Sequence, residues 1–261
     1  MRIDNERLMP LAKGLAASLG GGGVVLDLGC GSGVLSVLAC AAGADRVYAV
    51  ECDSVVLELA IELVRRAGCS DKVVFIHADA KNVELPESVD VAIVEMLHAW
   101  LVEEQQVPAV RNAKCYLKPG GSVLPAEVSN WAELVEVRSV SGVLAPLPTP
   151  IHIEPGDQIE IRPLTRRVAT HRWIWSDEQE SVDTRVDMIA VAKGVAHGVR
   201  LTSAAIVREQ VELARTPTIF NDVVVPIRPR PIVPGVVPLQ IKYDFGCRWD
   251  ELCLVLGANS G

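Results

Sequence analysis

Aromatic residues are scarce in this chain. They make up 4 % of its 261 residues, whereas apolar residues as a whole make up 49 %. The core is therefore expected to consist mainly of Val, Leu, Ile and Ala. A chain of this length can bury enough apolar surface for one large domain or two modest ones.

Clusters of positive charge are also lacking. No Lys/Arg run is longer than two residues, and the formal net charge is −8. A nucleic-acid groove needs concentrated positive charge, so the sequence argues against a nucleic-acid partner. An acidic surface suits neutral or cationic partners better, although it is commonly just a solvated surface.

Long apolar runs and paired cysteines are missing as well. No segment approaches the roughly 18 uncharged apolar residues of a membrane span, and no basic region precedes an apolar core at the N-terminus. The seven cysteines are odd in number and show no CxxC spacing. These features predict a cytoplasmic protein with reduced thiols, no membrane partner and no metal site.

Short apolar strands alternate with helical patterns from the N-terminus to about residue 140. The strands are predicted at 24–29, 46–51, 72–79, 89–95 and 122–128, and the helices at 34–44, 54–68 and up to about Leu117. A turn at 118–121, with the sequence KPGG, is predicted to end the last helix. This alternation predicts an α/β fold with a Rossmann-like parallel sheet over residues 1–140.

Short strands separated by turns follow over residues 141–261. Six prolines lie between 217 and 238, a spacing typical of edge strands and irregular crossings. The pattern predicts a second domain with a β-barrel or sandwich-like fold, in which a substrate would bind.

Glycines follow the first strand in VLDLGCGSG, at Gly29, Gly31 and Gly33. The dinucleotide fingerprint needs its third glycine one residue later, where Val34 stands. Asp27 at the end of the strand suits a cationic ammonium better than a pyrophosphate. A tight strand–helix turn without a ligand is the alternative interpretation.

Acidic side chains also end the second and third strands. Glu51 lies where a carboxylate can accept both ribose hydroxyls. Asp79 could accept the adenine amino group while Ala80 flanks the ring, or Asp79 could be a solvated loop residue. Together with the glycine loop and Asp27, these residues predict an adenosine ligand with a positive amino-acid end and no phosphate, which describes S-adenosyl-L-methionine.

The segment VLDLGCGSGVLSVLACAAGADRVYAVECD resembles the cofactor half of the protein arginine methyltransferase family, within the class I S-adenosylmethionine-dependent methyltransferases. VELP, VDVAIVEML and LKPGGSVLPAEV continue the resemblance, which covers residues 1 to about 137. The β-rich half resembles the barrel of that family only in its general pattern. The resemblance implies a methyltransferase that uses S-adenosyl-L-methionine.

The family places two glutamates nine residues apart in a hairpin after the fourth strand, and Glu95 and Glu104 have this spacing. On one helix they would point about 180° apart. If Glu95 ends a strand and Glu104 begins the next helix, their carboxylates converge and can clamp a guanidinium or hold an amine. Glu103 competes for the second position. His98, between them, could take a proton from the acceptor or be a packed loop histidine.

Arg7 follows the Met-x-x-Asp-x-x-Arg pattern of the family, with Met1 and Asp4. The resemblance implies that its guanidinium pairs with the carboxylate of the methionine moiety. The alternative interpretation is an ordinary exposed arginine.

The chain also departs from the family. No aromatic residue precedes Tyr48, where the family has an aromatic lid helix, and the Thr-His-Trp loop of its barrel corresponds to Thr218-Ile219-Phe220. The segment 170–173, with the sequence THRW, also looks like the Thr-His-Trp loop, but it lies too early in the chain to correspond to that loop and is predicted to be a strand. The second half is short for the family and leaves little room for its dimerisation arm. A homodimer therefore stays a possible, but not a required, assembly.

The methyl acceptor follows less directly from the sequence. We expect an N-methyltransferase acting on a protein, a peptide or a small-molecule amine or guanidine. The apolar residues Ile219 and Phe220 favour a dry, wide mouth, and hence a specialised peptide or small amine over general arginine methylation. O- or C-methylation of a small apolar metabolite, or a non-catalytic partner subunit that binds the cofactor, are the alternatives.

Overall fold

The structure is a computed structural model and describes residues 4–139, 149–154, 157, 159–216 and 218–259. Its first half alternates strands and helices, as the apolar pattern predicts. The elements of this half are α1 (Asn5–Leu19), β1 (Val24–Leu28), α2 (Val34–Ala41), β2 (Arg46–Glu51), α3 (Ser54–Arg66), β3 (Val73–His77), β4 (Val89–Val94), a short 3-10 helix (Ala99–Leu101), α4 (Gln106–Lys114) and β5 (Leu117–Leu124).

The five strands of this half form one parallel sheet in the order β3-β2-β1-β4-β5. The central strands β1 and β4 are almost wholly buried, because helices cover both faces of the sheet. The chain changes direction across the sheet between β1 and β4. In an open α/β sheet, ligands bind at the carboxyl ends of the strands beside such a switch point.

Local signals in the sequence explain where α3 begins and ends. Asp53 caps its first turn by accepting hydrogen bonds from the amides of Val55 and Val56. Arg65 and Arg66 lie in the last turn, where their positive charges interact favourably with the negative end of the helix dipole. The helix packs on the sheet through the apolar residues at helical spacing, which are Leu57, Ala60 and Val64.

The predicted end of the last helix is wrong. α4 ends at Lys114, and the predicted turn Lys118–Gly121 lies inside β5. The register between β4 and β5 shifts here, so that the extra residues bulge out of the ladder. Because β5 is at the edge of the sheet, it tolerates the proline and the two glycines of this segment.

The single strand predicted at 122–128 is also wrong. β5 ends at Leu124, and the next strand begins at Glu127 in a different sheet. Pro125 lies between the two strands and has no N–H with which to continue the ladder.

The second half consists of strands. They are β6 (Glu127–Ser139), β7 (Ile151–Ile153), β8 (Ile159–Pro163), β9 (Val168–Ile174), β10 (Ser181–Ala190), β11 (Gly194–Arg208), β12 (Val211–Leu213), β13 (Asp222–Ile232), β14 (Gly235–Asp244) and β15 (Cys253–Leu256). β10, β14 and β15 form one sheet, and the remaining strands form a curled antiparallel sheet. The predicted α/β fold with a barrel-like second part is confirmed, and segment 170–173 lies in β9 as predicted.

The change from one sheet to the other comes at residues 125–126, earlier than residue 140. The division of the chain into domains at residue 140 stays a prediction. The proline-rich segment forms β13 and the start of β14, and β13 has neighbours on both sides at Val223 and Val224. Beyond Val224, the pairing partner of β13 in the described part of the chain is β11, and this is where Pro226 and Pro231 lie.

No helix among the described residues is long and apolar enough to cross a membrane. All seven cysteines are free thiols. Within the described ranges, no group of three His, Cys, Asp or Glu side chains is arranged to hold a metal ion.

Candidate active site

The glycine loop between β1 and α2 has a backbone that needs glycine. Gly29, Gly31 and Gly33 have φ values of 69°, 54° and 79°, in the left-handed region. A Cβ atom on Gly33 would lie 3.0 Å from the Cβ of Ala60, so α2 and α3 pack closely there. A Cβ on Gly31 would meet nothing nearer than the Gly29 carbonyl oxygen at 4.0 Å, so Gly31 faces open space.

Glu51 ends β2 beside this loop. Its carboxylate accepts hydrogen bonds from the amides of Gly31 at 3.0 Å, Cys52 at 2.8 Å and Asp53 at 3.0 Å. The carboxylate is therefore fixed in position by backbone groups from two loops. An ionised carboxylate has about four lone-pair sites, so it can still accept a hydrogen bond from a ligand.

Asp27 lies in β1 and is buried. Its Oδ2 atom accepts a hydrogen bond from the Ser36 hydroxyl at 2.6 Å. Burial raises the pKa of Asp27 to about 6, against the lowering effect of the Ser36 hydrogen bonds. A cation placed beside it would favour its ionised form.

Asp79 and Ala80 follow β3 at the same edge of the sheet. The exposed Asp79 accepts a hydrogen bond from the Lys81 amide at 2.9 Å and pairs with the Lys81 ammonium at 3.5 Å. The Ala80 carbonyl accepts a hydrogen bond from Asn112 Nδ2 at 3.0 Å. Asn112 on α4 thus shapes this loop, and no local sequence pattern predicts that role.

Arg7 and Glu95 form a salt bridge between Arg7 Nη2 and Glu95 Oε2. The Arg7 Nε atom is buried and has no partner among the described residues. Burial raises the pKa of Glu95 to about 7, although the Arg7 guanidinium opposes this shift. Met1, the first residue of the N-terminal pattern, lies outside the described residues.

The hairpin of residues 95–104 contains both predicted glutamates. β4 ends at Val94 and α4 begins at Gln106, so Glu95 directly follows the strand, whereas Glu104 lies two residues before the helix and does not begin it as predicted. The charge of Glu104 also acts to raise the pKa of Glu95. Burial also raises the pKa of Glu104.

Gln106 joins the two arms of this hairpin. Its Nε2 donates a hydrogen bond to the Val94 carbonyl at 2.6 Å, and its Oε1 accepts one from the Met96 amide at 2.9 Å. The side chain is fully buried. The sequence interpretation missed it, but its helical spacing with Ala109 and Val110 puts a polar side chain on an apolar helix face, which is a readable signal.

His98 lies in an aromatic cluster with His152 and Trp249, at ring-centroid distances of 5.1 Å and 5.5 Å. Burial and the neighbouring His152 lower the pKa of His98, and the charge of Glu103 opposes this. Glu103, His152 and Trp249 also line an open cavity of about 620 Å³. The structure thus groups His98 with Glu103, and the charge of Glu103 also helps to raise the pKa of Glu104.

The predicted apolar mouth is not formed by Ile219 and Phe220. Both side chains are buried, with 3 % and 2 % of their surface exposed, so they pack in the core and cannot line an opening. Polar residues of the same segment contact the N-terminal part of the chain: the Thr216 and Thr218 hydroxyls both donate hydrogen bonds to Asp4. Asp4 in turn caps α1 by accepting a hydrogen bond from the Arg7 amide at 3.1 Å.

Comparison with known proteins gives consistent results. Residues 25–121 match the model of a methyltransferase domain. The probable protein arginine N-methyltransferase 6.2 of Oryza sativa subsp. indica is 46 % identical over 109 residues, which are 41 % of this chain and 27 % of that protein. Protein arginine N-methyltransferase 6 of Xenopus laevis is 42 % identical over 121 residues, or 46 % of this chain and 35 % of that protein.

A solved structure shares the fold over nearly the whole chain. A chain of the Trypanosoma brucei PRMT1 enzyme–prozyme heterotetrameric complex with AdoHcy aligns with a TM-score of 0.76 at 21 % identity, covering 92 % of this chain and 84 % of that one. The matched part of the chain spans between about a quarter and a third of the length of the curated relatives. The chain therefore carries a methyltransferase domain like that of the protein arginine N-methyltransferases, and the resemblance seen in its sequence is confirmed.

Proposed function

We propose that the protein is an S-adenosyl-L-methionine-dependent N-methyltransferase that methylates arginine side chains of proteins or peptides. The observation that carries this proposal is the pair of hairpin carboxylates, the largely buried Glu95 and the exposed Glu104, at the carboxyl edge of a sheet whose glycine loop and Glu51 suit an adenosine ligand. The names of the relatives support arginine as the acceptor.

The described residues fit the cofactor. Gly31 faces open space in which a ligand can approach the backbone, and Glu51 is fixed where it can accept hydrogen bonds from ribose hydroxyls. The unpartnered Nε atom of Arg7 is a donor available to a carboxylate. When bound, the cofactor would supply an electrophilic methyl group on a positive sulfur, and the acidic Asp27 and Glu95 would favour this positive charge.

Glu95 and Glu104 would hold the acceptor. Two carboxylates can bind the planar guanidinium with charge-assisted hydrogen bonds, which fix the orientation of its nitrogen. The rate of an in-line displacement depends chiefly on this alignment, with the reacting atoms about 3 Å apart. Gln106 keeps the two hairpin arms together and so supports the alignment.

The same carboxylates can account for the proton that the guanidinium nitrogen loses. A nitrogen that gains a methyl group releases one proton, and a carboxyl group with a raised pKa can receive it. The pKa of Glu95 is raised to about 7, so it is the more suitable group. His98 stays a weaker alternative, because it lies with Glu103 and His152.

The test is a transfer assay with tritiated cofactor and two matched peptides, one with a central arginine and one with lysine in its place. We expect labelling of the arginine peptide and little labelling of the lysine peptide, since an ammonium cannot bind both carboxylates in a bidentate way. Labelling of lysine or of free small amines in preference to arginine would contradict the proposal.

Glutamine variants of the hairpin provide the control. Glu104→Gln should lower kcat for the arginine peptide by about a hundredfold or more while leaving the Kd of the cofactor nearly unchanged, because the lost interaction involves the acceptor. Glu103→Gln makes the same chemical change at the next residue, on the cavity side, and should keep kcat within about threefold of the wild type. The reverse result would assign the second acceptor carboxylate to Glu103.

A further inference from the structure

The turn of the hairpin is built around Trp100, which is in a strained conformation. Its φ is 59°, and those of Leu101 and Glu103 are 57° and 67°. Bulky residues rarely adopt this left-handed conformation unless the surrounding structure holds them in it. Trp100 is completely buried, so the cause of this conformation must lie in its neighbours.

The barrel binds every polar group of Trp100. The Trp100 amide donates to Ser203 Oγ at 2.9 Å, and the indole N–H donates to the Trp131 carbonyl at 3.0 Å. The Trp100 carbonyl accepts a hydrogen bond from the Tyr243 hydroxyl at 2.6 Å. Trp100 has no polar group left, which explains how a bulky residue is kept in the left-handed region.

Asn130 and His171 in turn contact the hydroxyls of Ser203 and Tyr243. Ser203 Oγ donates to Asn130 Oδ1 at 2.6 Å, and His171 Nε2 lies 2.8 Å from the Tyr243 oxygen. The His171 ring packs perpendicular to that of Trp100, with centroids 5.1 Å apart. The hydroxyls of Ser203 and Tyr243 are therefore held in position by other residues of the second half, independently of their contacts with the hairpin.

Trp100 lies between the two glutamates, so its position sets how far the hairpin arms can separate. We propose that Ser203 and Tyr243 are positioning residues for methyl transfer, which hold Trp100 and thereby align Glu95 with Glu104. This inference rests on the proposed function. Neither residue touches the acceptor, and both act through the backbone of the hairpin.

The main test compares Tyr243→Phe with Tyr48→Phe. Both variants lose one buried or partly buried hydroxyl with a short hydrogen bond, since Tyr48 bonds to Glu87 at 2.7 Å, away from the hairpin. We expect Tyr243→Phe to lower kcat for the arginine peptide about tenfold, with the Kd of the cofactor within about twofold of the wild type. Tyr48→Phe should lose similar thermal stability but keep its kcat.

An unchanged kcat in Tyr243→Phe, or an equal loss of kcat in Tyr48→Phe, would overturn the proposal. If Tyr243→Phe does not fold, Ser203→Ala removes the other hydroxyl and must lower kcat in the same way. Hydrogen exchange provides a readout that needs no acceptor: the Leu101 amide, bonded to His98 O, and the Glu103 amide, bonded to Cys247 O, should exchange faster in Tyr243→Phe than in Tyr48→Phe. Equal exchange in the two variants would overturn the positioning role even if the wild type methylates no arginine.

Discussion

Two acidic side chains at the centre of the candidate site, Glu95 and Asp27, are buried enough for their pKa values to be raised. Burial raises the pKa of Glu95 to about 7 and that of Asp27 to about 6. Such groups cost stability when they ionise, and they are kept where a cationic ligand can compensate. At neutral pH, Glu95 is therefore close to the point at which it changes its charge.

The pH dependence of the reaction should report on Glu95. Under the proposed mechanism, the ionised carboxylate binds the guanidinium, so kcat/KM for an arginine peptide should rise as the pH increases through about 7. In Glu95→Gln this rise should be lost. A wild-type profile that is flat between pH 6 and about 8 would contradict the role of Glu95 in acceptor binding.

The free energy of unfolding should fall as the pH increases, whereas kcat/KM should rise. For an acid whose pKa is raised in the folded state, the stabilisation is complete below the unfolded-state pKa and is lost as the pH rises through the folded-state pKa. The wild type should therefore lose stability between pH 5 and about 8 relative to Glu95→Gln, as measured by urea unfolding at each pH.

Single residues could be predicted from the sequence where a local pattern carries the function. The three glycines of the loop and Glu51 were predicted from their spacing after a strand, whereas Glu95 and Glu104 were predicted from the family resemblance, and their roles stay predictions. Ser203 and Tyr243 could not be found in this way. Their roles depend on contacts with residues far along the chain, and a serine or tyrosine in a strand has no local feature that distinguishes it.

Among the secondary-structure elements, α1 connects the two halves of the chain. It carries Arg7 to Glu95 at one end, and near its other end Ser18 accepts a hydrogen bond from Arg208 at 2.8 Å. Gly14 lets the helix lie directly on β11, because a Cβ there would be 2.5 Å from Cγ1 of Val207. A small residue at this position thus controls where Arg7 is placed.

Gly14→Ala should lower stability even though alanine favours a helix by about 1 kcal/mol. The added methyl group pushes α1 away from β11, and such overpacking costs about 1–3 kcal/mol. The Kd of the cofactor should rise with it, because Arg7 moves. The double variant Gly14→Ala/Val207→Ala removes the clashing atom, and calorimetry should show recovered affinity; no recovery would mean that the contact does not position Arg7.

Elements in the first half were predicted well because buried parallel strands are short apolar runs between helices. β2 and β4 were placed to within a residue. β5 was placed wrongly, since its Lys-Pro-Gly-Gly sequence is typical of a turn, and only the edge position in the sheet allows it in a strand. Which sheet a strand joins after Pro125 is a long-range property that the sequence pattern does not contain.

At the scale of the whole molecule, the two halves share one hydrophobic core. Buried residues of the Rossmann-like sheet, the hairpin and the barrel belong to the same cluster. Trp100 is completely buried within it and bonded to both β11 and β14. Separate unfolding of either half would expose this residue and leave its hydrogen-bonding groups unpaired.

We therefore expect a single unfolding transition in urea. All five tryptophans lie in the hairpin or the second half, so their fluorescence reports on that part. Far-ultraviolet circular dichroism also reports on the helices of the first half. The two midpoints should coincide, and an earlier loss of helix signal would show that the halves unfold independently.

The contacts that hold Trp100 also determine when the protein becomes active as it is made. The cofactor residues from Arg7 to Ala80 leave the ribosome before the hairpin glutamates, which follow soon after them. Ser203 and Tyr243 come 103 and 143 residues after Trp100. Since N-terminal parts are synthesised first, a growing chain possesses its cofactor residues long before the hairpin can be held in place. Under the proposed mechanism, an unfinished chain has no aligned pair of carboxylates, so synthesis itself delays methyl transfer until the barrel is complete.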